Sequence, residues 1–139
     1  MADFDTTFGT IAGDIKAGPD YIFNDAAWPN NTTKDSSVFS FGGTQAALEL
    51  KVVNSGSAAT GALTITLYEA DNAADAAACS TNATSTALLS AGTGASFALD
   101  EVLCTHIGHG NGMYASLRLT TAADKSAEKI TAYLSPLDR

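Results

Sequence analysis

The potential metal ligands of the sequence are concentrated in one short segment, which holds Cys104, His106 and His109. A thiolate and two imidazoles are groups that bind zinc in proteins. If a strand runs through the segment, Cys104 and His106 point to the same side, so joint coordination is geometrically possible. Only three ligands lie close together, however, and the chain continues into the turn Gly110–Gly112 without a carboxylate. We therefore predict a strand that ends in a glycine-rich loop, with no metal and no cofactor bound.

Nucleophilic catalysis needs a serine or cysteine beside a histidine that an acid orients. Cys104 has His106 close by, but the chain contains two histidines in all and no Gly-x-Ser-x-Gly turn. Asp100 and Glu101 form a pair of carboxylates of the kind that general acid–base chemistry uses. Neighbouring residues of a strand point to opposite faces, so these two carboxylates do not converge. We predict no catalytic residue, and hence no enzyme.

The glycine-rich stretches and the two cysteines favour structural roles. Gly92–Gly94 and Gly108–Gly112 are not followed by a helix or by a Lys-Ser/Thr pair, so neither is typical of a phosphate-binding loop. They are interpreted as hairpin loops. Cys79 and Cys104 are too few for a disulfide framework, and we expect two reduced, mostly buried thiols.

The charge balance excludes two classes of partner. The 139 residues carry 7 Lys plus Arg against 15 Asp plus Glu, a net charge of −8, and no Lys or Arg occurs between Lys51 and Arg118. Nucleic acids and anionic membrane surfaces bind through basic side chains, so neither is expected as a partner. No apolar run of about 18 residues predicts a membrane span. The acidic N-terminus lacks the features of a signal peptide, which predicts synthesis in the cytosol without export by the ordinary route.

The composition also predicts how the surface is covered. Ala, Thr, Ser and Gly make 67 of the 139 residues, while charged residues make 16%. Typical soluble domains have about 25% charged residues. Small side chains must therefore cover part of the surface, as in a protein that packs against neighbours. We predict a homo-oligomer, and a monomer with a bland surface is the alternative.

Residues 1–35 differ in composition from the rest of the chain. Glycines and prolines interrupt this segment repeatedly, and neither a helical nor a strand period persists through it. We predict an extended N-terminal arm with one short strand near Tyr21–Phe23. The arm holds five of the eleven aromatic residues, and we expect these five to dock onto a partner: Phe4, Phe8, Tyr21, Phe23 and Trp28. The alternative is that the arm adds an edge strand to its own domain.

Residues 36–139 show the alternation of apolar and polar residues that is typical of half-buried antiparallel strands. Seven or eight short strands with turn residues between them predict an all-β domain, a jelly roll or a related β-sandwich. The alanine-rich stretch Ala70–Ser80 could form a short helical turn, because Ala is the best helix former. It is interpreted as a loop, since it has no apolar stripe to anchor a helix. The predicted strands are Tyr21–Phe23, Val38–Phe41, Ala46–Val53, Ala62–Glu69, Thr84–Ser90, Ala95–Cys104, Met113–Thr120 and Lys129–Ser135.

The strand Ala46–Val53, the Ser/Ala/Gly turn after it and the strand Gly61–Leu67 resemble the strand–turn–strand of small jelly-roll cement, or decoration, proteins of tailed bacteriophages. The resemblance covers residues 37–135. It implies a structural virion protein, made in the host cytoplasm, that binds the outer face of an icosahedral head as a homo-oligomer and bridges subunits of the major capsid protein. It carries over no catalytic residues.

A second hypothesis comes from a different class of protein. A small β-sandwich can also serve as the receptor- or carbohydrate-binding module of a phage fibre or tail. Such a module would place an aromatic platform on an exposed face or loop tip. A decoration protein would place its aromatic residues in the arm and at subunit contacts.

Deleting residues 1–20 tests the predicted role of the arm. We expect the truncated protein to keep the circular-dichroism signal of β structure but to lose capsid binding or oligomer stability. The physical reason is that each docked aromatic ring contributes roughly 1.5–3 kcal/mol through burial. A truncated protein that unfolds, or that still binds capsids at full strength, would contradict the prediction.

Overall fold

The computed structural model describes residues 21–40, 48–55, 59–60, 62–92, 95–108, 114–122 and 128–136. The predicted site residues Phe4, Phe8 and His109 lie outside these ranges. Alternating apolar and polar residues form strands because one face of each strand can then be buried. The strands are β1 (Tyr21–Ala27), β2 (Thr33–Asp35), β3 (Phe39–Ser40), β4 (Leu48–Asn54), β5 (Ala59–Thr60), β6 (Leu63–Ala70), β7 (Thr84–Ala91), β8 (Ser96–Phe97), β9 (Val102–Gly108), β10 (Tyr114–Thr121) and β11 (Lys129–Pro136).

The long strands form two antiparallel sheets. Sheet I has the order β1-β11-β4-β9, and sheet II has the order β2-β10-β6-β7, with β3 also paired to β10. Strands β5 and β8 form a small separate ribbon. When β2 and β3 are counted as one interrupted strand and the β5–β8 ribbon is left out, eight described strands remain. The first pairs with the eighth, the second with the seventh, the third with the sixth and the fourth with the fifth. This is the winding of a jelly roll, and the predicted fold class is confirmed.

The core lies between the two sheets and is built from alternate residues of their central strands. In β6, Leu63, Ile65 and Leu67 are fully buried, and the intervening threonines face outward. β10 contributes Leu117 and Leu119 from the neighbouring strand of the same sheet. From sheet I the buried residues are Phe23, Leu50, Val52, Ile130, Ala132 and Leu134, and Phe39, Trp28 and Ala115 complete the cluster.

Residues 21–35 belong to the sandwich, so the predicted boundary at residue 35 does not separate an arm from it. β1 pairs with β11, and β2 pairs with β10, so each is an edge strand of its own chain. Between β2 and β3, the Leu117 N–H donates to Ser36 Oγ and the Ser36 N–H donates to the Leu117 carbonyl, both at 2.9 Å. A side chain thus maintains the pairing where the edge strand is interrupted. For this part of the chain, the alternative of an intramolecular edge strand is correct.

The predicted strand Ala95–Cys104 is wrong, because a turn divides it into β8 and β9. Asn54 holds this turn. Its side-chain NH2 group donates to the backbone carbonyls of Phe97 (3.1 Å) and Ala98 (2.8 Å), and its backbone carbonyl accepts from the Asp100 N–H (2.8 Å). Asp100 adopts a left-handed conformation with φ of 65°. The Ala98 N–H donates to Glu101 Oε1 at 2.9 Å, so this carboxylate also ties the turn together.

The stretch Ala70–Ser80, predicted as a loop, contains the short helix α1 (Ala73–Ala78). Asn72 caps its N-terminus by accepting from the Asp75 N–H at 2.8 Å. Hydrogen bonds from Asn72 and Ser80 lower the pKa of Asp75. Ala76 is fully buried, and its carbonyl accepts from Ser116 Oγ at 2.6 Å. A cap and one small buried residue therefore anchor the helix without an apolar stripe.

Within the described part of the chain, we find no helix with the length and apolar character that crossing a membrane requires.

Replacing Trp28 by Ala tests the burial of this ring in its own chain. The side chain is 1% exposed, and its backbone N–H donates to the Glu128 carbonyl at 3.1 Å. We expect Trp28→Ala to lower the free energy of unfolding by about 3–5 kcal/mol, because truncating a buried Trp leaves a cavity. Urea unfolding monitored by circular dichroism measures this change. The matched control is Tyr21→Ala at a 44% exposed residue, which should cost less than about 1 kcal/mol; similar losses in both variants would contradict the assignment.

Candidate interaction surface

Two of the three potential zinc ligands lie on β9 and share one side of it. Cys104 pairs with Val52, and His106 pairs with Leu50. Both partners are buried residues of β4, so the backbone places Cys104 and His106 on the inner side of sheet I, as the strand prediction required. Among the described residues, no group of three or more His, Cys, Asp or Glu side chains is arranged to hold a metal ion.

The two cysteines are free thiols in different surroundings. Cys104 packs against the core, and burial raises the pKa of its thiol to about 12. Zinc and electrophiles react with the thiolate, so this burial works against both kinds of chemistry at neutral pH. Cys79 ends helix α1 in a left-handed conformation, and its Sγ lies 3.6 Å from Ser116 Oγ.

The predicted partner-binding aromatics are divided between the core and the surface. Phe23 is 7% exposed and Trp28 is 1% exposed. Their predicted docking onto a partner is therefore wrong, because the sandwich of their own chain already buries both rings. Tyr21 is 44% exposed. It is the one described member of the predicted set that a partner can reach.

Tyr21 begins a row of side chains that crosses the outer face of sheet I. In register, Tyr21 pairs with Tyr133, Tyr133 pairs with Lys51, and Lys51 pairs with Thr105. The two tyrosine rings meet edge to face, with centroids 6.2 Å apart and an interplanar angle of 78°. Lys51 Nζ lies 3.5 Å from Glu49 Oε2 on the same face. The row thus contains a pair of tyrosines followed by Lys51, whose charge is partly offset by Glu49.

A second row on the same face is largely apolar. Thr131 pairs with Val53, and Val53 pairs with Val102, which is 52% exposed. Val102 and Tyr21 are two of the three exposed large apolar residues among the described residues. We call the outer face formed by these two rows the tyrosine–valine face; its members are Tyr21, Tyr133, Lys51, Thr105, Thr131, Val53 and Val102. An apolar surface of this kind gains free energy when a partner covers it.

The outer face of sheet II has a different chemistry. One row pairs Thr33, Thr120, Thr64 and Ser90 in register, so hydroxyl groups line it. In the next row, Arg118 Nε donates to Asp35 Oδ1 at 2.7 Å, Nη2 donates to Oδ2 at 3.0 Å, and the guanidinium carbon lies 5.4 Å from the centre of the Tyr68 ring. Helix α1 covers Ser116 beyond these residues. Arg118 and Asp35 on this face are therefore engaged with each other, and Ser116 is engaged with the helix.

Sequence reasoning missed Tyr133, Val53 and Val102 as surface residues. The signal was present in part, since Tyr133 and Val53 occupy the outward positions of strands whose inward residues were assigned correctly. Val102 could not be found in this way, because β9 contains a β-bulge between Cys104, which pairs with Val52, and Val102, which pairs with Val53. The bulge reverses the alternation of β9, so that Val102 faces outward although Cys104 faces inward.

Comparison with known proteins found no family model, no curated protein and no solved structure that matches this chain.

The buried thiol of Cys104 predicts slow alkylation. In a Cys79→Ser variant, we expect iodoacetamide at pH 8.5 to modify the folded protein about a thousandfold more slowly than the urea-unfolded protein. Raising the pKa from 9.0 to about 12 lowers the thiolate population by about that factor. Mass spectrometry of quenched samples measures both rates, and equal rates would contradict the prediction.

The same shift predicts how stability depends on pH. Because burial raises the pKa of Cys104 in the folded protein, the unfolded chain loses the thiol proton first as the pH rises. The free energy of unfolding therefore keeps its full value below about pH 9, as far as this thiol is concerned, and decreases as the pH rises towards 12. A Cys104→Ala variant should lose less stability than the parent protein across this interval.

Proposed function

We propose that this protein is a capsid decoration protein, which binds the outer face of an icosahedral phage head and bridges neighbouring subunits of the major capsid protein. The observation that carries the proposal is the contrast between the two outer sheet faces. Both faces carry hydroxyl groups and an ion pair, but the tyrosine–valine face also exposes the large apolar residues Tyr21 and Val102, whereas a helix covers part of the outer face of sheet II. A jelly roll with one such face can lie flat on a larger surface.

The start of the described chain supports the same proposal. Tyr21, the first described residue, lies at one corner of the tyrosine–valine face. Residues 1–20 therefore connect to the domain beside this face, and they include the aromatic residues Phe4 and Phe8. A segment attached there can reach the subunit next to the one that the face contacts, as a bridging protein requires.

The charge of the chain supports an external position. A net charge of −8 repels packaged DNA and favours the capsid exterior. Repetition at symmetry-related positions multiplies the effect of a modest contact area, so a small domain can contribute substantially to the stability of a shell.

A carbohydrate-binding module is the second candidate, and the tyrosine pair is the observation that favours it. Sugar rings pack on the flat side of aromatic rings. Tyr21 is exposed, and Lys51 and Thr105, which can hydrogen-bond hydroxyl groups, follow Tyr133 in the same row. However, the two tyrosine rings are inclined at 78° to each other and do not form one flat platform. The decoration function uses the whole face and does not need a platform, so we prefer it.

A double variant, Tyr21→Ala with Tyr133→Ala, tests the proposed binding face. With phage heads that lack the protein, prepared from the virus that encodes this sequence, we expect co-sedimentation to require at least about tenfold more protein. Each buried tyrosine contributes roughly 1.5–3 kcal/mol to a contact, and 1.4 kcal/mol corresponds to a factor of ten. The matched control is Thr64→Ala with Thr120→Ala on the outer face of sheet II, which should bind as the parent protein does.

Three results would contradict the proposal. The parent protein could fail to co-sediment with the heads, the tyrosine variant could bind at full strength, or both double variants could lose binding equally. Binding of the parent protein to a glycan array that the tyrosine variant loses, without binding to heads, would establish the second candidate instead.

A further inference from the structure

Strand β7 is an open edge of sheet II. It is eight residues long and pairs with β6 on one side. No described strand pairs with its other side, since β7 is the last strand in the order of the sheet. An edge of this kind presents unpaired backbone N–H and C=O groups that another strand can bind.

The other edges carry features that oppose such pairing. β1 has two register irregularities, and Asp25 within it has φ of 51°. The edge made by β2 and β3 is interrupted at residues 36–38 and carries Lys34 and Asp35. β9 contains a β-bulge and follows directly on Asp100 and Glu101. Charges, bulges and interruptions are the usual means by which proteins protect sheet edges.

β7 also contains one β-bulge, at Leu88, but it carries no charged residue and no charged residue adjoins it in sequence. It lies within the longest charge-free run of the sequence, from Ala76 to Leu99, although 22 of the 139 residues are charged. The side chains that flank the open edge on the outer face are small and exposed: Ser85, Ala87 and Ser90. Neither charge nor bulk therefore blocks an approaching strand.

We propose that β7 is the interface between two copies of this chain, which pair antiparallel across a two-fold axis near Ala87 and extend sheet II from one protomer into the next. The charge of the protein identifies the occupant. Two chains of net charge −8 repel each other, and this edge lets them meet without placing like charges opposite one another. Pairing through β1 or β2 would bring Asp25 or Asp35 to the contact.

The packing behind the strand supports the same occupant. Leu88 and Leu89 are partly buried and pack against the core. A second β7 laid alongside would cover the remaining exposed parts of both leucines in both protomers. Such an interface is self-complementary, and a two-fold axis closes it as a dimer without further growth. The inference rests on the proposed function in one respect: it specifies the self-association that we expect of a decoration protein.

Charge reversal at Ala87 tests the interface on the full-length protein. Sedimentation equilibrium should show a dimer for the parent chain at about 100 µM or below. Ala87→Lys alone and Ala87→Glu alone should each dimerise at least about tenfold more weakly, because each places like charges near the axis. An equimolar mixture of the two variants should recover dimerisation. The matched control is Asn24→Lys and Asn24→Glu, which make the same charge changes at an exposed residue of β1.

Each outcome decides the question. Loss in both Ala87 variants, recovery in the mixture and no effect at Asn24 support the interface, and recovery also shows that both variants fold. A parent chain that stays monomeric overturns it, as do Ala87 variants that dimerise normally or Asn24 variants that lose dimerisation equally. Because no capsid is present, this result is independent of head binding: dimerisation without co-sedimentation would leave the interface standing while the decoration function fails.

Discussion

The packing of two central strand pairs, β4 with β11 and β6 with β10, is the interaction on which the rest of the structure depends. Each pair directs a row of Leu, Ile or Val side chains towards the other, and each such side chain contributes roughly 1.5–3 kcal/mol when it is fully buried. Large apolar residues are scarce in this chain, which contains 26 alanines. The inward positions of these four strands hold most of the large side chains that are fully buried in the described chain, and the outer strands are held by pairing to this centre.

This constraint explains what could be predicted from sequence. Strict alternation in β4, β6, β10 and β11 identified four strands and their inward residues, such as Leu50, Leu67 and Leu117, and the number of strands indicated a jelly roll. Prediction failed where a contact distant in sequence decides the local structure. The turn before β9 depends on Asn54, and helix α1 depends on Ser116 in a strand some 40 residues away. Neither contact has a signature in the segment that it shapes.

The candidate site shows the same division. The exposure of Tyr21 could be anticipated, since it begins a segment without regular periodicity. The burial of Phe23 and Trp28 could not, because an edge strand with two register irregularities has no readable alternation. The aromatic content of this segment therefore serves two purposes: Phe23 and Trp28 complete the core, and Tyr21 meets Tyr133 on the outer face. A composition count cannot separate these uses.

The pairing of the first strand with the last has a mechanical consequence. Tyr21 at the start of β1 lies opposite Tyr133, three residues before the end of β11 at Pro136. Tension between the segments that leave these two points would peel β1 from β11 one hydrogen-bonded pair at a time, which is a weak loading geometry. Tension between the N-terminal end of β1 and the opposite end of β11, at Lys129, would instead load the pairs of β1 together, in shear. The same domain is thus compliant to a pull between Tyr21 and Pro136 and stiff to a pull along its strands.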